Sequence, residues 1–194
     1  MARNPPHDQP ADERAEEVLR RSERHLAKAQ QIAHIGSWEL DLDDLEDLSS
    51  NELRWSDESF RIFGYLPGEV SVTNDLFFEA VHVEDRPRIV EAVAKALDER
   101  RPYQIEHRIL RRDGVERIIY EHADVVCNEA TGRLLMLLGT CQDITERRHV
   151  ENAARENAER FHLLVDSVKD YAIYMLDAGG RVASWNAGAE RIMG

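Results

Sequence analysis

At 194 residues, 42% hydrophobic and 32% charged, the chain holds enough for one ordinary domain and part of another, and is too apolar for a wholly disordered one. Its formal charge of −13 argues against a nucleic-acid footprint, which needs a net basic face. No apolar run reaches the length of a membrane span, and the opening residues are polar and proline-containing rather than signal-like, so a cytoplasmic protein is expected.

Residues 1–11 carry no periodic pattern and are expected to be disordered. Residues 12–34 read as an amphipathic helix: Ala15, Leu19, Ser22, Leu26, Ala29 and Ala33 alternate four and three apart. The stripe is rich in small residues, so the helix needs a partner or its own domain to pack on. Gly36 ends it, and Ser37–Leu42 follows as a half-buried strand with Trp38, Leu40 and Leu42 on one face. A polar loop with Asp43, Asp44, Glu46 and Asp47 leads to a short strand through Leu53 and Trp55. The loop lacks the glycine and terminal Glu of a calcium loop and reads as a solvated turn; no metal site is expected. Ser56 is a good N-cap for a helix Asp57–Phe63 closed by Gly64, and Asn74–His82 and Glu84–Arg100 are further helices.

Three strands then come in succession, Tyr103–Arg111, Val115–Cys127 and Arg133–Gln142, joined at Arg112-Asp113-Gly114 and Asn128–Gly132. The last is apolar on both faces, with Leu134, Met136 and Leu138 on one and Leu135, Leu137 and Cys141 on the other, which predicts a central strand covered on both sides. The hairpin register keeps Cys127 and Cys141 roughly 20 Å apart, too far for a disulfide, and both read as small core residues. Asp143-Ile144-Thr145-Glu146 has capping-box spacing and opens a helix over 146–168, again with a four-three stripe at Val150, Ala154, Asn157, Phe161, Leu164 and Val168. Tyr171–Asp177 and Arg181–Trp185 form a last hairpin around Ala178-Gly179-Gly180.

The chain also repeats itself. Trp55-Ser-Asp-Glu-Ser-Phe-Arg61-Ile62-Phe-Gly64 aligns without gaps on Trp185-Asn-Ala-Gly-Ala-Glu-Arg191-Ile192-Met-Gly194, each after a strand, a turn or loop and a second strand. One whole unit over 35–145 and the truncated start of a second over 169–194 are expected.

With these pieces in view the sequence resembles the PAS family, in the form found in bacterial sensor histidine kinases. The resemblance rests on Ile35-Gly36-Ser37-Trp38-Glu39, Trp55-Ser56-Asp57-Glu58, Ile62-Phe63-Gly64-Tyr65, Val81-His82-Val83-Glu84-Asp85-Arg86 and Glu106-His107-Arg108. It rests further on Arg111-Arg112-Asp113-Gly114 and on Gly139-Thr140-Cys141-Gln142-Asp143-Ile144-Thr145-Glu146-Arg147. Val83 departs from the pattern, in which a proline is usual after the histidine. The resemblance implies an α+β PAS fold: a five-stranded antiparallel sheet in order 2-1-5-4-3, short helices on one face, and flanking N- and C-terminal helices, the first of them on the opposite face of the sheet. Residues 35–145 become the domain with its C-terminal PAC half, and 146–168 the signalling linker helix.

For function the resemblance implies a sensory module whose pocket lies between helices and sheet. Candidate pocket residues are Trp38, Trp55, Phe60, Phe63, Phe77, Ile89, Val93, Ile105, Met136 and Leu138, although aromatics at these positions serve equally as core. Asp143, Ile144 and Thr145 are the candidate coupling residues. The sequence requires no cofactor. A photoreactive flavin needs an Asn-Cys-Arg-Phe-type run on the helices after Gly64, where there is no cysteine. A haem needs a histidine on the helix Glu84–Arg100, which has none. His82, Glu84 and Asp85 read as a helix N-terminus rather than an acid–base cluster, and Glu106, Arg108, Arg111 and Arg112 as solvated strand charges. No catalytic motif is present: His149 is followed by Val-Glu-Asn rather than a kinase phospho-acceptor sequence, and there is no P-loop or GGDEF loop. The expected partners are a second copy in a parallel homodimer, a downstream output domain, most often a histidine kinase and less often a diguanylate cyclase, and a small-molecule ligand. A dimerisation-only module and a flavin or haem redox sensor are the competing readings.

Overall fold

The computed structural model describes residues 11–45 and 47–194. The expectation for residues 1–10 lies outside the described residues, as does Glu46 of the acidic loop; Ala11 is already helical. The chain divides into two compact units, one ending at Thr145 and the other spanning Glu146–Gly194.

The first unit is built on β1 (Ile35–Asp41), β2 (Leu53–Trp55), β3 (Tyr103–Leu110), β4 (Glu116–Cys127) and β5 (Leu134–Asp143). They form one antiparallel sheet in order β2-β1-β5-β4-β3. Between β2 and β3 the chain makes α2 (Asp57–Phe63), α3 (Asn74–Ala80) and α4 (Arg86–Glu99). Alternation sets the inner face: Trp38 and Leu40 on β1, Tyr103, Ile105, His107 and Ile109 on β3, Ile119, Glu121 and Ala123 on β4, and Leu137 and Cys141 on β5 are buried.

Local chemistry places the helices. Ser56 Oγ accepts from the Ser59 amide at 3.4 Å and from the Ser37 amide at 2.9 Å, so one hydroxyl caps α2 and fastens it to β1. Gly64 closes α2 at φ 89°, a left-handed position that suits glycine. Thr73 caps α3 by accepting from the Leu76 amide. Asp85 precedes α4 without capping it through its side chain. Its carboxylate instead receives the Arg108 amide at 2.8 Å and the Arg108 guanidinium at 2.9 and 3.0 Å. Arg108, expected as a solvated strand charge, thus cross-links α4 to β3, and Glu84 joins it at 2.8 Å. Sequence reading missed the pair because its members stand 23 residues apart.

Two expectations about coverage need correction. β5 is central, yet Leu135 and Leu138 are exposed at 40% and 43%, so the unit's own elements leave the outer face of the sheet open there. Helix α1 (Ala11–Ala33) leaves Val18, Leu19, Leu26 and Ile32 exposed and does not lie across that face. It is fastened at its end, where Gln30 donates to Ser37 Oγ at 2.9 Å and Gln142 donates to the Ala33 carbonyl at 3.5 Å. An apolar stripe reports that something covers it, not that the cover belongs to the same unit. Cys141 is buried as expected, whereas Cys127 is half-buried; both thiols are free.

The second unit consists of α5 (Thr145–Ser167, which starts at the last residue of the first unit), β6 (Tyr174–Leu176), β7 (Val182–Trp185) and α6 (Ala187–Met193). Its hub is Asn186, 1% exposed. The carboxamide nitrogen donates to the carbonyls of Val165, Val168 and Tyr171 at 3.1, 2.7 and 3.1 Å, and the oxygen accepts from the Ile173 and Ala189 amides at 2.9 Å each. The wiring repeats that of Ser56. In both units the cap side chain accepts from the third helical amide and from the amide of Ser37 on β1 or of Ile173 just before β6, and the cap amide donates back to that residue's carbonyl at 2.9 Å.

Candidate functional site

A cavity of about 600 Å³ lies between the inner face of the sheet and helices α2, α3 and α4. This is within the usual size of a small-molecule site. Trp38 and Trp55 stand directly opposite each other on β1 and β2 and form one wall. Trp55 stacks on Phe63 at 4.4 Å between centroids, and Phe63 meets Phe77 at 6.0 Å. Ile89, Val93 and Leu97 line it from α4 at helical spacing, with Tyr103, Leu137 and Cys141 from the sheet. Gly139 sits between Trp38 and Ala123 in the pairing, and a Cβ there would run into the Trp38 indole. The glycine is what lets the large ring lie flat against the sheet.

Of the candidates named from sequence, Trp38, Trp55, Phe63, Phe77, Ile89 and Val93 line the cavity; Phe60, Ile105, Met136 and Leu138 do not. Phe60 is buried on α2, edge-on to Trp55 at 5.7 Å. Ile105 shares the face of Tyr103 and His107 but is taken up in the core. Leu138 points outward and Met136 is half-buried outside the lining, because both stand on the strand phase opposite Leu137 and Cys141. Beyond them the register slips between Val126 and Cys127. Cys127 pairs with Leu134 and Val126 with Met136, leaving Leu135 over. Leu134 therefore faces the cavity together with Leu137 and Cys141, which alternation alone does not allow.

Sequence reading also missed the polar floor. His107 Nε2 lies 3.1 Å from Glu121 Oε2, and these side chains are 0% and 4% exposed. They are diagonal neighbours, since His107 pairs with Ile119 two residues before Glu121. Phe77 packs edge-to-face on the His107 ring at 5.9 Å. Burial first, and the Glu121 charge second, push the Tyr103 hydroxyl well above its usual range. Burial likewise pushes the Cys141 thiol up to about 12, opposed by its bond to Ser59 Oγ and aided by Glu121. The signal that could have located the floor is a His and a Glu, each on the apolar phase of its strand.

The residues do not fit a photoreactive flavin or a haem. Cys141 is the lining cysteine; it lies on β5 rather than on a helix, and its raised pKa keeps it a thiol at neutral pH. The lining histidine is fully buried and engaged with Glu121, and α4 carries none.

The candidate coupling residues sit where the sheet hands over to α5. The Ile144 amide donates to the Ile118 carbonyl at 2.9 Å, and the Ile118 amide donates to Thr145 Oγ1 at 2.8 Å. Asp143 accepts from the Thr145 amide at 2.9 Å and lies 3.7 Å from Arg117 Nε. Ile144 and Thr145 are buried, so the first residue of the long helix is clamped to β4 on both sides of Ile118.

Comparison with known proteins agrees with this architecture. Residues 52–141 match the PAS fold family. A probable diguanylate cyclase of Escherichia coli, DgcE, is 28% identical over 181 residues, 93% of this chain and 16% of its own length. A blue-light-activated histidine kinase of Brucella ovis is 33% identical over 145 residues, 73% of this chain and 27% of its own. The chain thus spans a minor part of either relative. The crystal structure of a sensory box histidine kinase/response regulator from Burkholderia thailandensis superposes with a TM-score of 0.56 at 26% identity, covering 70% of this chain and 96% of that one. Through residues 52–141 the chain belongs to the PAS fold family, and it is a sensory signal-transduction module.

Proposed function

We propose that the module senses a small molecule held in the cavity and passes its occupancy through Asp143, Ile144 and Thr145 to helix α5. The observation that carries this reading is the position of Ile118, whose two backbone groups hold Ile144 and Thr145 while its strand neighbour Ile119 lies in the core behind the cavity wall. A ligand that alters the twist of β4 changes the geometry at the root of α5, and an element with two arrangements is what a signal biases. The output domain is a histidine kinase in a phosphorelay or a diguanylate cyclase, as in the named relatives. The protein works in the bacterial cytoplasm; among the described residues no helix is long and apolar enough to cross a membrane.

Two copies associate in parallel as a coiled coil through α1 and α5. Leu19 and Leu26 on one stripe, and Val150, Phe161 and Leu164 on the other, are exposed in the chain and need a partner. The segment 169–194 is the opening of a second PAS domain, supported by the bonding that Asn186 shares with Ser56. A dimerisation-only module is the competing reading. A thermal-shift screen of small metabolites separates the two, using Val93→Trp to fill the cavity. Sensing predicts a compound that raises the wild-type Tm and leaves the variant unchanged. Shifts that are equal in both proteins, or absent throughout, contradict it.

A further inference from the structure

The polar groups of the cavity wall are sorted by depth. Ser49, Asp75 and Asp98 belong to the lining and are exposed to solvent, so they stand at its mouth. Asn74, next to Asp75, is turned to the Leu48 carbonyl at 2.6 Å. The deep polar groups are engaged or walled off. His107 and Glu121 bond each other, the Cys141 thiol donates to Ser59 Oγ at 3.6 Å, and Trp38 Nε1 and His107 Nδ1 are enclosed by protein. The Tyr103 hydroxyl remains without a bond among the described residues.

The apolar lining, by contrast, extends outward. Leu45 and Val90 line the cavity and are 53% and 56% exposed, so greasy side chains stand at the mouth beside the acids. Inward of them the wall is made by buried Trp38, Phe63, Ile89 and Leu137.

We propose that the cavity takes a free single-tailed amphiphile, apolar end first, with its polar end left in water at the mouth. The proposal rests on reading the cavity as the sensory site. A polar group carried to the deep end gives up water for side chains that are already bonded, and meets at most the Tyr103 hydroxyl. An apolar tail there packs on the rings and aliphatic side chains, and covers Leu45 and Val90 where it leaves.

Calorimetric titration of the whole chain with octanol, decanol and the decanediol bearing a hydroxyl at each end tests it. Decanol is expected to bind about tenfold more tightly than octanol, for two more buried methylenes. The diol must bury its second hydroxyl and is expected to bind about tenfold more weakly than decanol. Val93→Trp, which fills the cavity, should abolish binding of all three; the wild-type ranking stands as a test even if that variant folds poorly. Octanol and decanol binding equally, or the diol matching decanol, overturns the assigned class while leaving the cavity a ligand site. A diol that matches decanol and weakens in Tyr103→Phe overturns the orientation by placing a polar group at depth. Unaltered binding to a folded Val93→Trp puts the alcohols elsewhere on the surface and overturns the inference. If no alcohol binds, the class falls, and the metabolite screen decides the cavity reading by itself.

Discussion

Single side chains decide where the helices rest on the sheet, and Asp85 is the clearest case. Hydrogen bonds from the Arg108 guanidinium, aided by the Arg108 amide, hold its carboxyl down to about 2, against the desolvation that raises it. A depressed carboxyl stabilises the fold fully above the ordinary range near 4, and the contribution fades as pH falls through about 2. Asp85→Asn should therefore cost roughly 2 kcal/mol at neutral pH, with the gap from wild type closing between about pH 4 and pH 2. Urea unfolding of both proteins across that range measures it, and a constant gap would contradict the assignment. At this scale the sequence was partly legible. Trp38, Trp55 and Phe63 announced themselves as inward residues by alternation and helical spacing. Met136 and Leu138 misled because both faces of β5 are apolar, and the phase is fixed by a feature outside the strand, the Trp38 indole that requires Gly139 to face it. The His107–Glu121 pair was hidden, since two polar residues 14 apart give no sign of meeting until strands β3 and β4 are in register.

Elements were read more reliably than side chains. The succession β3-β4-β5 follows from turn signals at Asp113-Gly114 and Gly132, whereas the full sheet order, with β1 beside β5, came only with the family resemblance; helix ends followed caps such as Ser56 and Gly64. What eluded the pattern was the role of the caps beyond their own helices. Asn186 looks like an ordinary N-cap, yet it joins the end of α5 to the β6–β7 hairpin because a carboxamide both donates and accepts. Asn186→Ala removes all five of these bonds, and the Ala189 amide, which is buried, loses its side-chain acceptor at a cost of about 1–3 kcal/mol. Amide exchange at Ile173 and Ala189 should accelerate in the variant while β3–β5 keeps its protection. Unchanged exchange at both amides would mean that the hairpin is held by its strands alone.

For the whole molecule, the exposed stripes on α1 and α5 predict self-association. Leu26→Glu with Leu164→Glu should lower the dimer fraction in sedimentation equilibrium without altering the fold, because neither residue is buried in the chain. A wild type that stays monomeric at high concentration would refute the dimer. The central claim is that cavity occupancy reaches the root of α5, and backbone hydrogen exchange with and without a saturating compound from the thermal-shift screen tests it most directly. Changed exchange is expected along the lining strands and also at Ile118, Ile144 and the first turn of α5 from Thr145. Changes confined to the lining elements, with Ile118 and the start of α5 unaltered, would contradict it.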